Sequence, residues 1–172
     1  FVAIDLALDM AGRFGAEMGA EFVSDFLAVA ADEAMHFSLL DRHLATMRAR
    51  YGDLPAHEGL WNAAHDTRHD AAARLAVVPM VLEARGLDVT PGMIEIFRKA
   101  DLPDVIAALE TIYAEEVHHV AYGSKWFHFL CGRDDLDPKD AFHGLVQRYF
   151  HGALKPPFNE EKRAEAGIPP DF

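Results

Sequence analysis

The sequence predicts an all-α protein. Its longer segments carry apolar side chains at a spacing close to the helical repeat, and no stretch of useful length alternates as a strand does. Residues 31–36 and 114–119 also repeat one pattern: Ala, an acid, Glu, two spacers, His. A Glu and a His three positions apart share one face of a helix, so each repeat predicts a helix with both side chains on one side.

Composition limits the classes of function. The 172 residues are 51% hydrophobic, which suits one folded core, and the formal net charge of -12 argues against nucleic acid as a partner. Cys131 is the only cysteine, so the chain has neither an internal disulfide nor a CxxC zinc site. No apolar run reaches membrane-spanning length and no signal peptide is visible. We therefore expect a cytoplasmic protein that does not bind membranes.

The first two helices are predicted from the apolar spacing and from glycine. Helix one should run from the first residue to about Arg13, with Gly12 and Gly15 at its end. No capping residue precedes its apolar run, so we expect that the start of this helix lies upstream. Helix two should span residues 20–51, because a helical stripe from Phe22 to Leu44 is followed by the breaker sequence at 52–55.

A third long helix is predicted for residues 58–85, with Gly86 just past its end. Pro79 lies inside this segment and should kink the helix or leave a carbonyl without its usual partner. Thr90 and Pro91 form an N-cap and N1 pair, which predicts the start of a short helix.

The second half should contain two more helices and a tail. Pro103, preceded by Asp101, predicts the start of a long helix that continues to about Leu130, and another helix should span residues 138–150. From Lys155 the proline pairs predict an extended arm with one helical turn. We thus expect a helical bundle over residues 1–154 and an arm over 155–172.

The two repeats predict metal ligands. Paired Glu-x-x-His motifs on facing helices are how a di-iron or di-manganese carboxylate bundle is built, with Glu33, His36, Glu116 and His119 as inward ligands. Glu115 and His118 form an overlapping pair that remains an alternative. Alignment with the Asp32-Glu33 frame favours the pair Glu116 and His119.

Each of the other two long helices should contribute one carboxylate. Between residues 71 and 86 the only acid is Glu83, which stands in an apolar stretch where an unpaired carboxylate would be costly to bury. Glu83 precedes Glu116 by 33 positions, so pseudo-symmetry places the ligand of helix one just before Phe1. Asp5 is the nearest visible acid, but it is turned about 140° from that face. The helix-one ligand is therefore either Asp5 or a residue upstream of Phe1.

The acids before each motif Glu have a predicted task of their own. A histidine that binds a metal usually donates its other ring N–H to a carboxylate, which fixes the tautomer. In a symmetric bundle Asp32 would serve His119, and Glu115 would serve His36.

The motifs resemble those of the ferritin-like di-iron carboxylate superfamily. More narrowly, residues 4–9, 51–61, 81–91 and 157–161 resemble a bacterial ferritin-like family known as domain of unknown function 455. The resemblance implies a ferritin-like four-helix bundle with a dinuclear centre, whose ligands would be Glu33, His36, Glu83, Glu116 and His119. It also implies a further Glu on helix one, before residue 4, in a segment that this chain lacks.

These residues predict a cofactor of two metal ions, iron first and manganese as the alternative, since carboxylates and imidazoles suit both. The leading hypothesis is an O2-dependent oxidoreductase, a hydroxylase or oxidase, whose partners are dioxygen and a small organic substrate. A homodimer is left open. The alternatives are a ferroxidase or iron-handling protein, for whose cage the proline-rich tail is a poor match, and a metal-free helical interaction module. Bare buried acids would destabilise such a module.

Overall fold

The computed structural model describes residues 1–170 and 172, and within them it is helical and contains no strand. The α-helices are α1 (Val2–Met18), α2 (Ala20–Thr46), α3 (Gly59–Asp66), α4 (Ala71–Val77), α5 (Ala84–Lys99), α6 (Pro103–Arg133), α7 (Pro138–Tyr149) and α8 (Glu160–Glu165), with a π-helical segment, Val78–Glu83, between α4 and α5. None of the helices described is both long and apolar enough to cross a membrane.

The first helix is longer than predicted. It continues through Gly12 and Gly15 to Met18, and Gly19 alone, with a φ of 92°, separates it from α2. Position 15 is a glycine because α2 packs closely against it. A Cβ there would come within 2.5 Å of Val23 Cγ2 on α2. Gly15 was therefore wrongly interpreted as a helix end, because the sequence does not show that it allows close packing of two helices.

Helix α2 ends earlier than predicted, at Thr46 rather than near Tyr51. The chain turns at Arg48, which has a φ of 60°, and Ala49 N–H returns to the carbonyl of Leu44. A left-handed residue just past the last turn is a common way to end a helix, although glycine or asparagine is its usual occupant.

The predicted third helix is broken in its first half. Helix α3 ends at Asp66, and Asp70 restarts the chain as the N-cap of α4 by accepting a hydrogen bond from Ala73 N–H. The buried Arg74 fills the gap, because its guanidinium donates to the carbonyl of Ala64 and to Oγ1 of Thr67. These bonds satisfy groups that the end of α3 leaves open.

The chain remains helical past Gly86, where the sequence predicted the end of the third helix. Pro79 does disturb the helix, as predicted, and the disturbance is the π-helical segment, in which Ala84 N–H bonds the carbonyl of Pro79 five residues back. Gly86, however, does not end a helix, and Thr90 and Pro91 lie inside α5.

The continuity of α5 through Pro91 depends on a distant side chain. Pro91 has no N–H for the carbonyl of Leu87, four residues earlier. The side-chain amide of Asn159, in the tail, donates to that carbonyl at 3.2 Å. This long-range bond replaces the missing local one.

The second half of the fold agrees more closely with the sequence. Helix α6 starts at the predicted Pro103 and ends at Arg133, a few residues beyond Leu130. Helix α7 covers the predicted residues to within one position, and Asp137 caps it by accepting from Asp140 N–H. Trp126 and Phe127 on helix α6 are buried in the core.

The tail contains the helical turn that was predicted, α8, and the arm that was predicted to be extended packs against other residues of the chain. Ala166 and Ile168 are buried. Arg163 makes a two-point ion pair with Asp88, at 2.8 Å from Nε to Oδ1 and 2.7 Å from Nη2 to Oδ2.

The chain divides into two compact units. The first comprises Phe1–Gly59 and Thr90–Glu115, and contains α1, α2, most of α5 and the start of α6. Part of its core joins α5 to α6 through Ile94, Val105 and Leu109. The second comprises Leu60–Val89 and Glu116–Phe172. The division falls within the unbroken helix α6, between Glu115 and Glu116.

Candidate metal centre

The first motif lies on α2 and places a buried histidine beside a half-buried glutamate. His36 is 3% exposed, and its Nδ1 lies 3.7 Å from Glu33 Oε2. That distance exceeds a hydrogen bond, so no proton is shared between the two atoms. The side chains share a face because one helical turn separates them, as the spacing predicted.

Glu115 of α6 contacts the other nitrogen of this histidine. His36 Nε2 lies 2.7 Å from Glu115 Oε2, which is the contact predicted between these two residues. Because a carboxylate accepts, His36 Nε2 is the protonated nitrogen when the ring is neutral. The lone pair then resides on Nδ1, on the side that faces Glu33.

The second motif repeats this geometry on α6. His119 is 1% exposed, and its Nδ1 lies 3.6 Å from Glu116 Oε2. The same pair of atoms is used in both motifs, at nearly the same separation. Within the described residues, no donor forms a hydrogen bond with Glu116 Oε2, although the atom is buried.

Burial distinguishes the two overlapping pairs on α6. His118 is exposed, whereas His119 is buried. Glu115, the glutamate of the alternative pair, is already engaged with His36. The geometry therefore favours the pair Glu116 and His119 over the pair Glu115 and His118.

Glu83 is the last residue of the π-helical segment and is half-buried. The residues before it are largely buried, namely Val77, Val78, Met80 and Val81, as the sequence suggested. π-Helical turns are frequent at functional sites, because the extra residue changes the direction of a side chain.

The two remaining acids differ in burial. Asp32 on α2 is half-buried, which suits a polar contact beneath the surface. Asp5 on α1 is exposed, as expected from its angular offset in the sequence. This exposure argues against Asp5 as the buried metal ligand of helix one.

The donor atoms suit a cation. Two ligand atoms about 2.1 Å from one ion, at right to tetrahedral angles, lie roughly 3.0–3.5 Å apart. The separations in the two motifs, 3.7 Å and 3.6 Å, are slightly longer, and a small side-chain rotation would close the difference. A neutral imidazole nitrogen facing a carboxylate oxygen is a pair of electron donors, which a cation stabilises.

Sequence reasoning missed one group of interacting side chains, which surrounds Asp88. The carboxylate of Asp88 accepts from Arg163, from the backbone N–H of Asn159 and, at 3.3 Å, from Arg85. Burial alone would raise the pKa of Asp88, but these hydrogen bonds and the charge of Arg163 outweigh it and hold the pKa below its ordinary value. The signal was present, because Asp88 and Asn159 both lie in stretches that carry the family resemblance.

Comparison with known proteins agrees with that resemblance. The chain is 42% identical over 175 residues to an uncharacterized protein of Haemophilus influenzae, covering 98% of this chain and 60% of that relative. The chain thus spans about 60% of the relative's length. No solved structure matches the chain. The family described as "Protein of unknown function (DUF455)" matches residues 1–172, and the chain therefore belongs to this family.

Proposed function

We propose that this chain is a dinuclear metal protein with a ferritin-like bundle, and that Glu33, His36, Glu83, Glu116 and His119 bind two ions of iron or manganese. The observation that carries the proposal is the matched geometry of the two motifs. Each sets Nδ1 of a buried histidine opposite Oε2 of a glutamate, at 3.7 Å and 3.6 Å. Each motif thus presents a nitrogen and an oxygen that one cation could bind together.

The roles of the protein side chains follow from their contacts. Glu115 accepts a hydrogen bond from Nε2 of His36. The lone pair of Nδ1 would then point toward the metal ion. Glu116 supplies a buried oxygen with no hydrogen-bond donor in the described chain. The buried apolar residues before Glu83 would limit the access of water to its carboxylate.

The reaction that we propose is an O2-dependent oxidation or hydroxylation of a small organic molecule. Two bound ions of iron or manganese would supply the redox chemistry with dioxygen. The protein would supply the position of the substrate and exclude competing water.

Metal analysis of matched variants tests this proposal. The wild-type chain, purified from cells supplied with iron or manganese, should contain close to two ions per chain by elemental analysis. His119→Ala should lose at least one of them, because it removes a buried donor. His118→Ala is the matched control, since the exposed neighbour should leave the metal content unchanged.

Circular dichroism of each variant checks that the helices remain. His119→Gln, which keeps a polar side chain, is used if His119→Ala does not fold. Metal-free wild-type protein would contradict the proposal and support the interaction module. A large cage in solution, with iron taken up in excess of two ions per chain, would support the iron-handling alternative instead.

A further inference from the structure

A cavity of about 180 Å³ lies in the second unit, and its lining combines apolar side chains with cations. Val81 and Leu82 of the π-helical segment are among its apolar lining residues, and the charged residues in the lining are Arg85, Lys155 and Arg163, all of them basic. In a chain with a formal net charge of -12, a lining with three cations and no acid reverses the overall sign. Such a lining attracts an anion with an apolar body.

A second cavity, of about 200 Å³, adjoins the first. Both are lined by Val81, Leu154, Phe158 and Arg163. The second is more apolar, with Met80, Phe142 and Phe172 in its lining, and its one acid is Glu160. Benzene fills an apolar cavity of about 150 Å³, so each space accepts a group of about that size.

The contacts of the three cations show which one can meet a ligand. Arg163 makes its two-point pair with Asp88 and lies over the ring of Phe158, 5.1 Å from the centroid. Arg85 donates to the backbone carbonyls of Lys155 and Pro157, at 2.7 Å and 2.9 Å. Both guanidinium groups are therefore largely occupied by protein acceptors.

Lys155 differs from the two arginines. Its side chain is exposed, and in the described part of the chain its ammonium makes no ion pair. One available ammonium favours a singly charged anion over a phosphate dianion, which would also meet stronger repulsion from the acidic protein.

We propose that these joined cavities bind a small monocarboxylic acid whose apolar body is a ring with a short chain. The ring lies among Val81, Leu154 and Phe158, and the carboxylate meets the ammonium of Lys155. Binding of the acid stands on the cavity alone. That this acid is also the substrate class of the oxidoreductase rests on the proposed function. The connection between the cavity and the proposed centre is Glu83, which directly follows the lining residues Val81 and Leu82.

Titration calorimetry with matched ligands tests the binding. The probes are 3-phenylpropionate and its neutral counterpart 3-phenyl-1-propanol, added to the full chain as purified. Wild-type protein should bind the acid about tenfold more tightly than the alcohol, since only the carboxylate of the acid can form a hydrogen bond between opposite charges with the ammonium. Equal affinity for the two, or binding of neither, would overturn the proposal.

Lys155→Met should abolish the preference for the acid and leave the affinity for the alcohol unchanged. Lys99→Met, which removes an exposed lysine at the end of α5, is the control and should keep the preference. A Lys155→Met variant that still prefers the acid would overturn the assignment of the ammonium.

Nuclear Overhauser contacts locate the ligand. Protons of the bound phenyl ring should contact the methyl groups of Val81 and Leu154, and contacts elsewhere would place the site outside these cavities. Since none of these measurements reads the metal content, failure of binding leaves the metal proposal standing. Loss of the metal proposal likewise leaves the binding result standing.

Discussion

At the scale of single residues, Glu115 carries the most specific claim. Its carboxylate fixes the His36 ring at 2.7 Å, and a partner of this kind typically changes metal affinity by about 10- to 100-fold when it is removed. Glu115→Ala should therefore weaken metal binding by that factor in a competition titration with a chelator. Glu110→Ala is the control, because Glu110 is exposed on the same helix and its partner Arg98 lies 3.8 Å away at the surface. An unchanged affinity in Glu115→Ala would remove Glu115 from the site.

Asp88 is the residue whose charge the fold needs most clearly. Its side chain is fully buried against Arg163, so Asp88→Asn leaves a largely buried cation without its partner and should cost about 3 kcal/mol in the free energy of unfolding. Denaturant unfolding measures this loss. A cost below about 0.5 kcal/mol, as for a surface substitution, would contradict it.

The lowered pKa of Asp88 also predicts a pH dependence. A carboxyl group whose pKa is lower in the folded state stabilises the fold fully above its unfolded pKa, about 3.9. That stability is lost as the pH falls through the lower, folded pKa. The stability difference between wild type and Asp88→Asn should thus be constant at neutral pH and shrink in acid, and a difference that grew in acid would contradict this account.

At the scale of helices, Gly123 shows why the π-helical segment fits against α6. A Cβ at Gly123 would come within 2.5 Å of the Cβ of Pro79, whose ring cannot move away. Gly123→Ala should therefore destabilise the fold by about 1–3 kcal/mol in denaturant unfolding, as overpacked substitutions do. Gly132→Ala on the same helix meets nothing within 4 Å and should be neutral or slightly stabilising. Equal effects of the two substitutions would contradict this packing.

The helices also show what the sequence could predict and what it could not. Starts marked by a proline at the first helical position, as at Pro103 and Pro138, were predicted correctly, because the signal and its effect are both local. Pro91 carried the same signal and was interpreted wrongly. Its missing hydrogen bond is supplied by Asn159, and a contact across that distance in sequence leaves no local pattern.

The same distinction applies to the candidate site. Spacing alone predicted that the Glu and the His of each motif share one face of a helix, because residues about one helical turn apart lie on the same side. This applies to Glu33 and His36 and to Glu116 and His119. The repeat already favoured His119 over His118, and the structure adds the difference in burial, which depends on packing and is not visible in the sequence. The break between α3 and α4 was missed because Arg74, a residue usually assigned to the surface, is buried to complete it.

At the scale of the whole molecule, the acidic composition and the candidate centre are connected. A formal net charge of -12 disfavours the compact state through self-repulsion, and cations bound to the motif carboxylates would reduce that charge. Acidic residues on the surface thus contribute to the net charge, whereas the motif carboxylates would bind cations. The basic cavity around Lys155 is a third use of charge, opposite in sign.

Anomalous diffraction from crystals grown with iron or manganese is the most direct measurement of the central claim. We expect two peaks, one about 2.1–2.3 Å from Nδ1 of His36 and the other at the same distance from Nδ1 of His119. Peaks only at exposed histidines such as His118, or no peak in metal-loaded crystals, would contradict it.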